Sequence, residues 1–388
     1  MVKHKKLNVV KLFLILFFVI TVIAPLISML FHISQIDIMA FVASQQFKTG
    51  LLNSLLLATC ATVISIFLAM LLSFATERSN IKFKNMWCII FTLPMLIPSI
   101  SNGMGLILLL GSNGVLTNLF NLDFNVYGFQ GVLIGSVMYS FPVAFLMFQD
   151  MLRYEDYTPY EAAKVLGIPR KNQILSIFLP YMKKPLISVF FSVFTMVITD
   201  YGVPLMVGGK FNTLPVLMYN EVIGLLNFGK GGAIGVVLLV PAVIAFLIDI
   251  FNKDNSIQDF ITKKARIAKN KLRDILSYIL CTVTSIVVVL PIAMFCFLSF
   301  IKKYPTDISF SLSNIFKAFN MNAGQFLLNA LIIAASVSII GTAFSYITAY
   351  ITARVPGKRS KTLHLFSITS MAIPGLVLGL SFAIFFKG

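Results

Sequence analysis

The sequence predicts an all-α protein that crosses a membrane many times, built from two parallel copies of one six-helix unit with the second copy cut short. Three observations carry this expectation. The 388 residues are 58% hydrophobic and only 12% charged, a balance that a soluble domain of this length does not sustain. Nine apolar runs approach or exceed the length a helix needs to span a bilayer. The chain also repeats itself. NSLLLATCATVISIFLAMLLSFATER, from Asn53, returns as NALIIAASVSIIGTAFSYITAYITAR, from Asn329.

In order, the runs are Lys11–Phe31, Leu51–Ala75, Met86–Leu110, Gly131–Met147, Pro185–Tyr201, Gly231–Phe251, Ile275–Phe300, Phe326–Ala353 and Leu363–Phe386. The first follows the basic start MVKHKK and no small-residue cleavage site follows His32, so it reads as an uncleaved span rather than a signal peptide. With a cytoplasmic N-terminus and alternating crossings, 24 of the 31 Lys and Arg residues fall in inner segments. That bias satisfies the positive-inside rule and accounts for the net charge of +17 without a nucleic-acid partner. Cys60, Cys88, Cys281 and Cys296 lie in apolar runs with no C-x-x-C spacing and read as buried free thiols. His4, His32 and His364 are scattered, and no metal site is expected.

The inner loop between the fourth and fifth runs, residues 157–184, carries EAAKVLGIPRKNQILSIFLP from Glu161 to Pro180. It reads as a helix, a sharp turn and a second helix. Thr158 and Glu161 have the spacing of a capping box, with Pro159 at the first helical position. Gly167 can adopt the left-handed conformation that ends a helix. Pro169 can restart one, and Pro180 should stop or kink it before the next span. Ala162, Ala163, Val165 and Leu166 offer a small apolar face.

An offset of 276 carries Asn53 onto Asn329, Arg78 onto Arg354, Pro98 onto Pro374 and Gly103 onto Gly379. Pro25 and Pro291 match at a slightly smaller offset. A unit with six crossings returns the chain to its starting side, so tandem copies share one orientation. The expected organisation is a first repeat over 1–251, a basic linker over 252–273 and a partial second repeat of three spans over 274–388. A second elbow would fall near residue 437, past Gly388, so either the second copy is degenerate or, the reading favoured here, the chain is a fragment of a twelve-span protein.

Glu161, Ala162, Ala163, Gly167, Ile177, Leu179 and Pro180 together resemble the EAA loop of binding-protein-dependent ABC importer permeases, here in the one topological place that family puts it. The likeness covers the whole chain, including the Asn53 and Asn329 starts and the Pro98 and Pro374 breaks. It implies the type I ABC importer transmembrane fold. It also implies a cytoplasmic ATPase dimer that receives the elbow in a surface groove, an extracytoplasmic solute-binding protein that delivers cargo, and a cell-membrane location. ATP and magnesium would sit on the ATPase, with no cofactor on this chain. Fused two-copy members resemble 2-aminoethylphosphonate and ferric-iron importers, and Thr199–Asp249 looks more like the aminoethylphosphonate branch. The missing second elbow departs from the pattern.

Other constellations are weaker. GLLNFGKG, Gly224–Gly231, nearly matches a phosphate loop, but Gly231 replaces the magnesium-binding hydroxyl. Energy must then come from a separate subunit or an ion gradient, which keeps a gradient-driven secondary transporter as the alternative. No clustered polar set supports a membrane-embedded enzyme, so no catalytic residue is assigned. Asp200, beside Tyr201 and ahead of Gly208 and Gly209, lies at membrane depth, where an acid is costly unless it faces a cavity or a partner. It reads either as a wall of a translocation path or as a cap at the outer interface. Pro94 and Pro98, with Gly103 and Gly105, form a second candidate wall, for which packing is an equal explanation. Gln45–Gly50 and Asn212–Asn227 would face the delivering protein.

Overall fold

The computed structural model describes residues 2–34, 36–252, 267–355, 357, 360, 362–364, 366–367 and 373–386. Most of the expected linker, with Lys253, Lys263, Lys264 and Arg266, lies outside the described residues. So do Lys358, Arg359, Lys361 and part of the ninth run.

The chain opens with α1 (Val2–Phe18), a π turn (Val19–Ile23) and α2 (Ala24–Ile33). The π turn has a local cause. The Ala24 N–H reaches back five residues to the Val19 carbonyl, and Pro25, which has no N–H to give, follows at once. The widened turn lets the proline ring pass where a regular α-turn would clash. After α3 (Ile38–Ala43), the Ser44 hydroxyl accepts from Phe47 N–H at 3.3 Å and starts α4 (Gln45–Glu77). At 33 residues, α4 is about 50 Å long. Its buried face runs through Ser54, Ala58, Ala61, Ser65, Ala69 and Ser73. Small residues at this spacing let two membrane helices approach closely.

The third run is broken. It forms α5 (Lys84–Leu96) and α6 (Ser99–Leu110), divided at Ile97–Pro98, and α7 (Val115–Phe120) follows. Then α8 (Phe129–Tyr154) outlasts its expected span at both ends and packs along α4, with Ser65 and Ser140 hydroxyls 2.9 Å apart. The elbow consists of α9 (Thr158–Val165), α10 (Arg170–Gln173) and a second π turn (Ile174–Phe178) leading into α11 (Leu179–Ile198). The helical run that holds the fifth expected crossing extends from Arg170 to Ile198, so it takes in the second half of the elbow and begins well before the expected Pro185. Short helices α12 (Gly202–Val207) and α13 (Leu214–Tyr219) precede α14 (Phe228–Asn252) and α15 (Lys271–Ser299). An antiparallel hairpin, β1 (Ile301–Lys303) and β2 (Asp307–Phe310), leads to α16 (Ser313–Asn320), α17 (Ala323–Arg354) and α18 (Gly375–Phe385).

Seven helical runs have the length and composition to cross a membrane among the described residues. Two shorter apolar helices, Phe228–Ile244 and Gly375–Phe385, occupy the sixth and ninth expected crossings. Two prolines that the offset of 276 pairs take the same backbone conformation. Pro98 (φ −53°, ψ 140°) precedes α6 as Pro374 (φ −58°, ψ 136°) precedes α18.

Packing divides the chain into two compact units that cut across the repeat. One comprises Met1–Ile38, Glu221–Leu239 and Cys296–Gly388; the other comprises Met39–Asn220 and Val240–Phe295. Within the former, α1 and α2 of the first copy lie against helices of the second. Leu14 clusters with Ile351 and Leu363, Phe17 meets Phe344 at 4.6 Å, and α2 packs on α18. Within the latter, the second copy's first helix does the reverse. Pro291 of α15 lies so close to Gly105 of α6 that an added Cβ would sit 2.6 Å from it, and Lys82 N–H donates to the Tyr278 hydroxyl at 2.7 Å. Each copy has thus lent its first helix to the core of the other.

Candidate functional site

The elbow turns at Gly167, where φ is +69°, a conformation that a Cβ makes costly. Gly167 N–H donates to Lys164 O at 3.1 Å and Ile168 N–H to Ala163 O at 2.9 Å, which closes the end of α9. Pro169 opens α10 in an extended conformation (ψ 151°), and the Gln173 amide donates to Ile168 O at 2.7 Å across the corner.

Two expectations for this loop are corrected. The first is the capping box, which does not form. Asp156 takes both the Thr158 N–H (3.1 Å) and its hydroxyl (2.8 Å), so Thr158 is the first helical residue rather than the cap, and Glu161 N–H donates to Tyr157 O. The second is the stop offered at Pro180: the helix runs through it, which leaves the kink as the other outcome expected there. The residue before it, Leu179, donates five residues back to Ile174 O, the same π device seen at Pro25. The apolar face also differs by one residue. Ala163 is buried, whereas Val165 and Leu166 are 88% and 74% exposed beside Ala162. Glu161 and Ile177 are half-buried, and Leu179 and Pro180 are exposed.

The base of the elbow is held by a staple that the sequence reading missed. Arg78, at the end of α4, pairs with Glu155, whose side chain keeps only 4% exposure just after α8. The same guanidinium donates to Leu152 O at 3.0 Å and lies 5.7 Å over the Tyr157 ring. Tyr157 stacks on Tyr160 at 4.7 Å, and the Tyr160 hydroxyl donates to Glu155 at 2.5 Å. Burial, and then this bond to a carboxylate, pushes the Tyr160 phenol well above its ordinary value. The Tyr181 hydroxyl donates to Met151 O at 3.0 Å. Helices α4, α8, α9 and α11 are thereby fastened at one point. The only signal for it in the sequence was the recurrence of Arg78 as Arg354.

A second constellation joins the candidate walls. Pro98 exposes Ser99 as the first residue of α6, and the Ser99 hydroxyl donates to Asp200 at 2.5 Å. Asp200 also accepts from Gly202 N–H and Val203 N–H, each at 3.2 Å. It therefore caps the start of α12, the short helix that follows the fifth run, and ties α12 to α6. The helices touch closely, since a Cβ on Gly103 would lie 2.8 Å from Met206 and one on Gly202 would strike Ser99 and the Ile100 backbone. Tyr201 stacks on Tyr219 at 5.5 Å. Pro94 is buried inside α5, with its carbonyl 3.4 Å from the Asn102 amide. In the near-phosphate loop, Lys230 faces buried Glu221 at 3.5 Å.

No group of His, Cys, Asp and Glu able to hold a metal occurs among the described residues.

Residues 61–253 match the family model described as binding-protein-dependent transport system inner membrane component. A ferric transport system permease protein of Actinobacillus pleuropneumoniae is 24% identical over 352 residues, covering 86% of this chain and 51% of its own length. A putative ferric transport system permease protein of Haemophilus influenzae is 23% identical, covering 86% and 55%. A thiamine transport system permease protein from that organism is 25% identical over 49% of this chain and 36% of its own. The chain thus spans about half the length of the curated relatives it matches most fully. Among solved structures, a chain of a bacterial alginate ABC transporter, in complex with an alginate pentasaccharide-bound periplasmic protein, superposes with a TM-score of 0.54. The two are 18% identical, and the match covers 68% of this chain and 97% of that one.

Proposed function

We propose that this chain, whose residues 61–253 match the family of binding-protein-dependent transport system inner membrane components, is the membrane-spanning subunit of an ATP-driven importer, coupled through the elbow at Glu161–Pro180. The observation that carries the proposal is the elbow's build. It has a fixed corner at Gly167, exposed Val165 and Leu166 beside Ala162, and a base tied by Arg78 and Glu155 to the long helices α4 and α8. A force applied to such a lever reaches the membrane helices rather than dissipating in a loop. A helix offering small and apolar side chains fits a groove on a partner, and Arg170 and Lys171, both exposed, suit acids at its rim.

In this reading an ATPase dimer binds the cytoplasmic side and carries the nucleotide and magnesium, and this chain performs no bond chemistry. The N-terminus is cytoplasmic. A solute-binding protein docks outside, near the start of α4 and the α13 region. The path wall runs along α6 and α12, from the Pro94–Pro98 break to Tyr201, with Asp200 fastening it from behind. The two relatives that align over most of this chain are named for ferric transport, which favours a ferric cargo. Aminoethylphosphonate rests on the character of Thr199–Asp249 alone. The elbow speaks against a gradient-driven carrier, which has no use for one.

The test is co-purification of the chain with a candidate ATPase subunit of this importer class, native against Gly167→Pro. Proline cannot reach φ +69°, so the variant should lose the ATPase while keeping native expression and tryptophan emission. Equal retention by both chains, or labelling of a cysteine placed at Ala162 from the outer face only, would overturn the reading.

A further inference from the structure

Between the last turns of α4 and the first turns of α15 runs an open groove of about 440 Å³. Both segments belong to the unit containing Met39–Asn220 and Val240–Phe295. One stretch of the groove is apolar, lined by Leu71, Phe74, Leu276 and Leu280, with Leu71 and Leu276 open to the surroundings. These residues sit on helices whose length and composition suit crossing a membrane, so acyl chains are the surroundings that match them. The other stretch is polar, where Arg78, Asn270 and Arg273 line the mouth. By the charge bias of the loops, this mouth lies at the cytoplasmic surface.

The mouth carries an excess of positive charge. Arg78, Lys82, Lys84, Lys269, Lys271 and Arg273 lie in the two segments that meet there, against Glu77 and Asp274. Glu155 is taken up by Arg78, and Arg273 is bonded to Asp274 at 2.7 Å and to Ala268 O at 2.8 Å. Both guanidiniums are therefore held in place, and among the described residues the lysines beside them form no ion pair. Lys84 senses this. Burial lowers the pKa of Lys84 against the raising pull of Glu77, and Arg273 and Arg78 add smaller lowering effects.

We propose that this groove binds an anionic phospholipid of the cytoplasmic leaflet, with its phosphate between Arg273 and Lys84 and an acyl chain along Leu71, Phe74, Leu276 and Leu280. Charge complementarity selects the headgroup, and the apolar wall selects a lipid over a free anion. Basic pockets between helices on the inner side suit such headgroups. The lipid would splint the α4–α15 contact, which otherwise rests on a few polar bonds such as Asn80 N–H to Asp274 at 3.1 Å.

The chain supplies its own reporter. Its single tryptophan, Trp87, donates to Lys82 O at 3.1 Å, and Lys82 is bonded to Tyr278, the neighbour of groove-lining Ser277. Full-length protein is reconstituted with phosphatidylglycerol and phosphatidylcholine, brominating the acyl chains of one lipid at a time. Brominated phosphatidylglycerol should quench Trp87 well beyond its share of the mixture. Neutralising one cation, in Arg273→Gln or in Lys84→Gln, should lower the apparent affinity about fivefold. Lys84→Gln touches neither the Asp274 contact nor Ala268, so it reads the site even where Arg273→Gln disturbs the fold. Leu276→Ser should weaken quenching without changing the response to inorganic phosphate. Quenching that follows bulk composition, or a preference unchanged in Lys84→Gln, overturns the proposal, as does relief of quenching by inorganic phosphate alone.

Discussion

Replacing Arg78 by methionine should loosen the elbow without unfolding the helices above it. The substitution keeps most of the apolar stem and removes the charge. Glu155, with 4% of its side chain exposed, is then left buried without its ion. Stranding one member of a buried pair costs about 3–5 kcal/mol. Losing the donor to Leu152 O costs about 1 kcal/mol, and losing the cation over Tyr157 about 0.5–1 kcal/mol. Arg78 itself is 20% exposed and solvent softens the loss, so about 4 kcal/mol in total is a fair figure. At 1.4 kcal/mol per factor of ten, the open population of the elbow rises up to about a thousandfold. Amide hydrogen exchange reads that population directly. The amides of α9 should exchange about a hundred to a thousand times faster, while those in the middle of α4 and α8 keep their native rates. The double variant Arg78→Met/Glu155→Gln removes the stranded charge but leaves an acceptor for Tyr160, and it should recover more than half of the loss. A single variant that exchanges at the native rate, or a double no better than the single, refutes the staple.

Other consequences follow from the same geometry. The raised pKa of Tyr160 means that its bond to Glu155 contributes fully below pH 10 and is lost only as pH climbs through the folded-state value. Elbow exchange, corrected for intrinsic rate, should therefore be flat from pH 7 to about 9.5 and rise above that, and Tyr160→Phe should abolish the rise. Asp200→Asn retains an oxygen for Ser99 and for α12 and should leave folding and uptake near native, whereas Asp200→Ala removes the cap and should cost about 1–2 kcal/mol in a thermal melt. Uptake lost in Asp200→Asn at native melting temperature would instead give the carboxylate a direct part in transport.

How much of this was legible beforehand depended on range. The corner at Gly167 and the restart at Pro169 follow from rules acting within a few residues, and both were read correctly. The break at Pro98 lay inside a single apolar run, and its proline marked the place. At Pro180 only the stop failed, because nothing in the letters announces the π register that lets the helix run through the proline. Thr158 was misread because Asp156, two residues earlier, is the better acceptor. The pairs that matter most for the site are separated by 77 residues for Arg78 and Glu155 and by 101 for Ser99 and Asp200. No periodicity links such positions. Only the return of Arg78 as Arg354 hinted that one of them had work to do.

The crossed loan of first helices sets an order on biogenesis. Leu14 enters the bilayer early, but the residues it finally rests on, Ile351 and Leu363, are among the last of these 388 to be made. At about 5–20 residues per second, translation leaves α1 and α2 waiting for tens of seconds beside lipid or an insertion chaperone. A nick in the linker after assembly should leave the molecule intact. Two halves made separately would each be born with the wrong opening helix in hand, and each would have to find the other before either could settle.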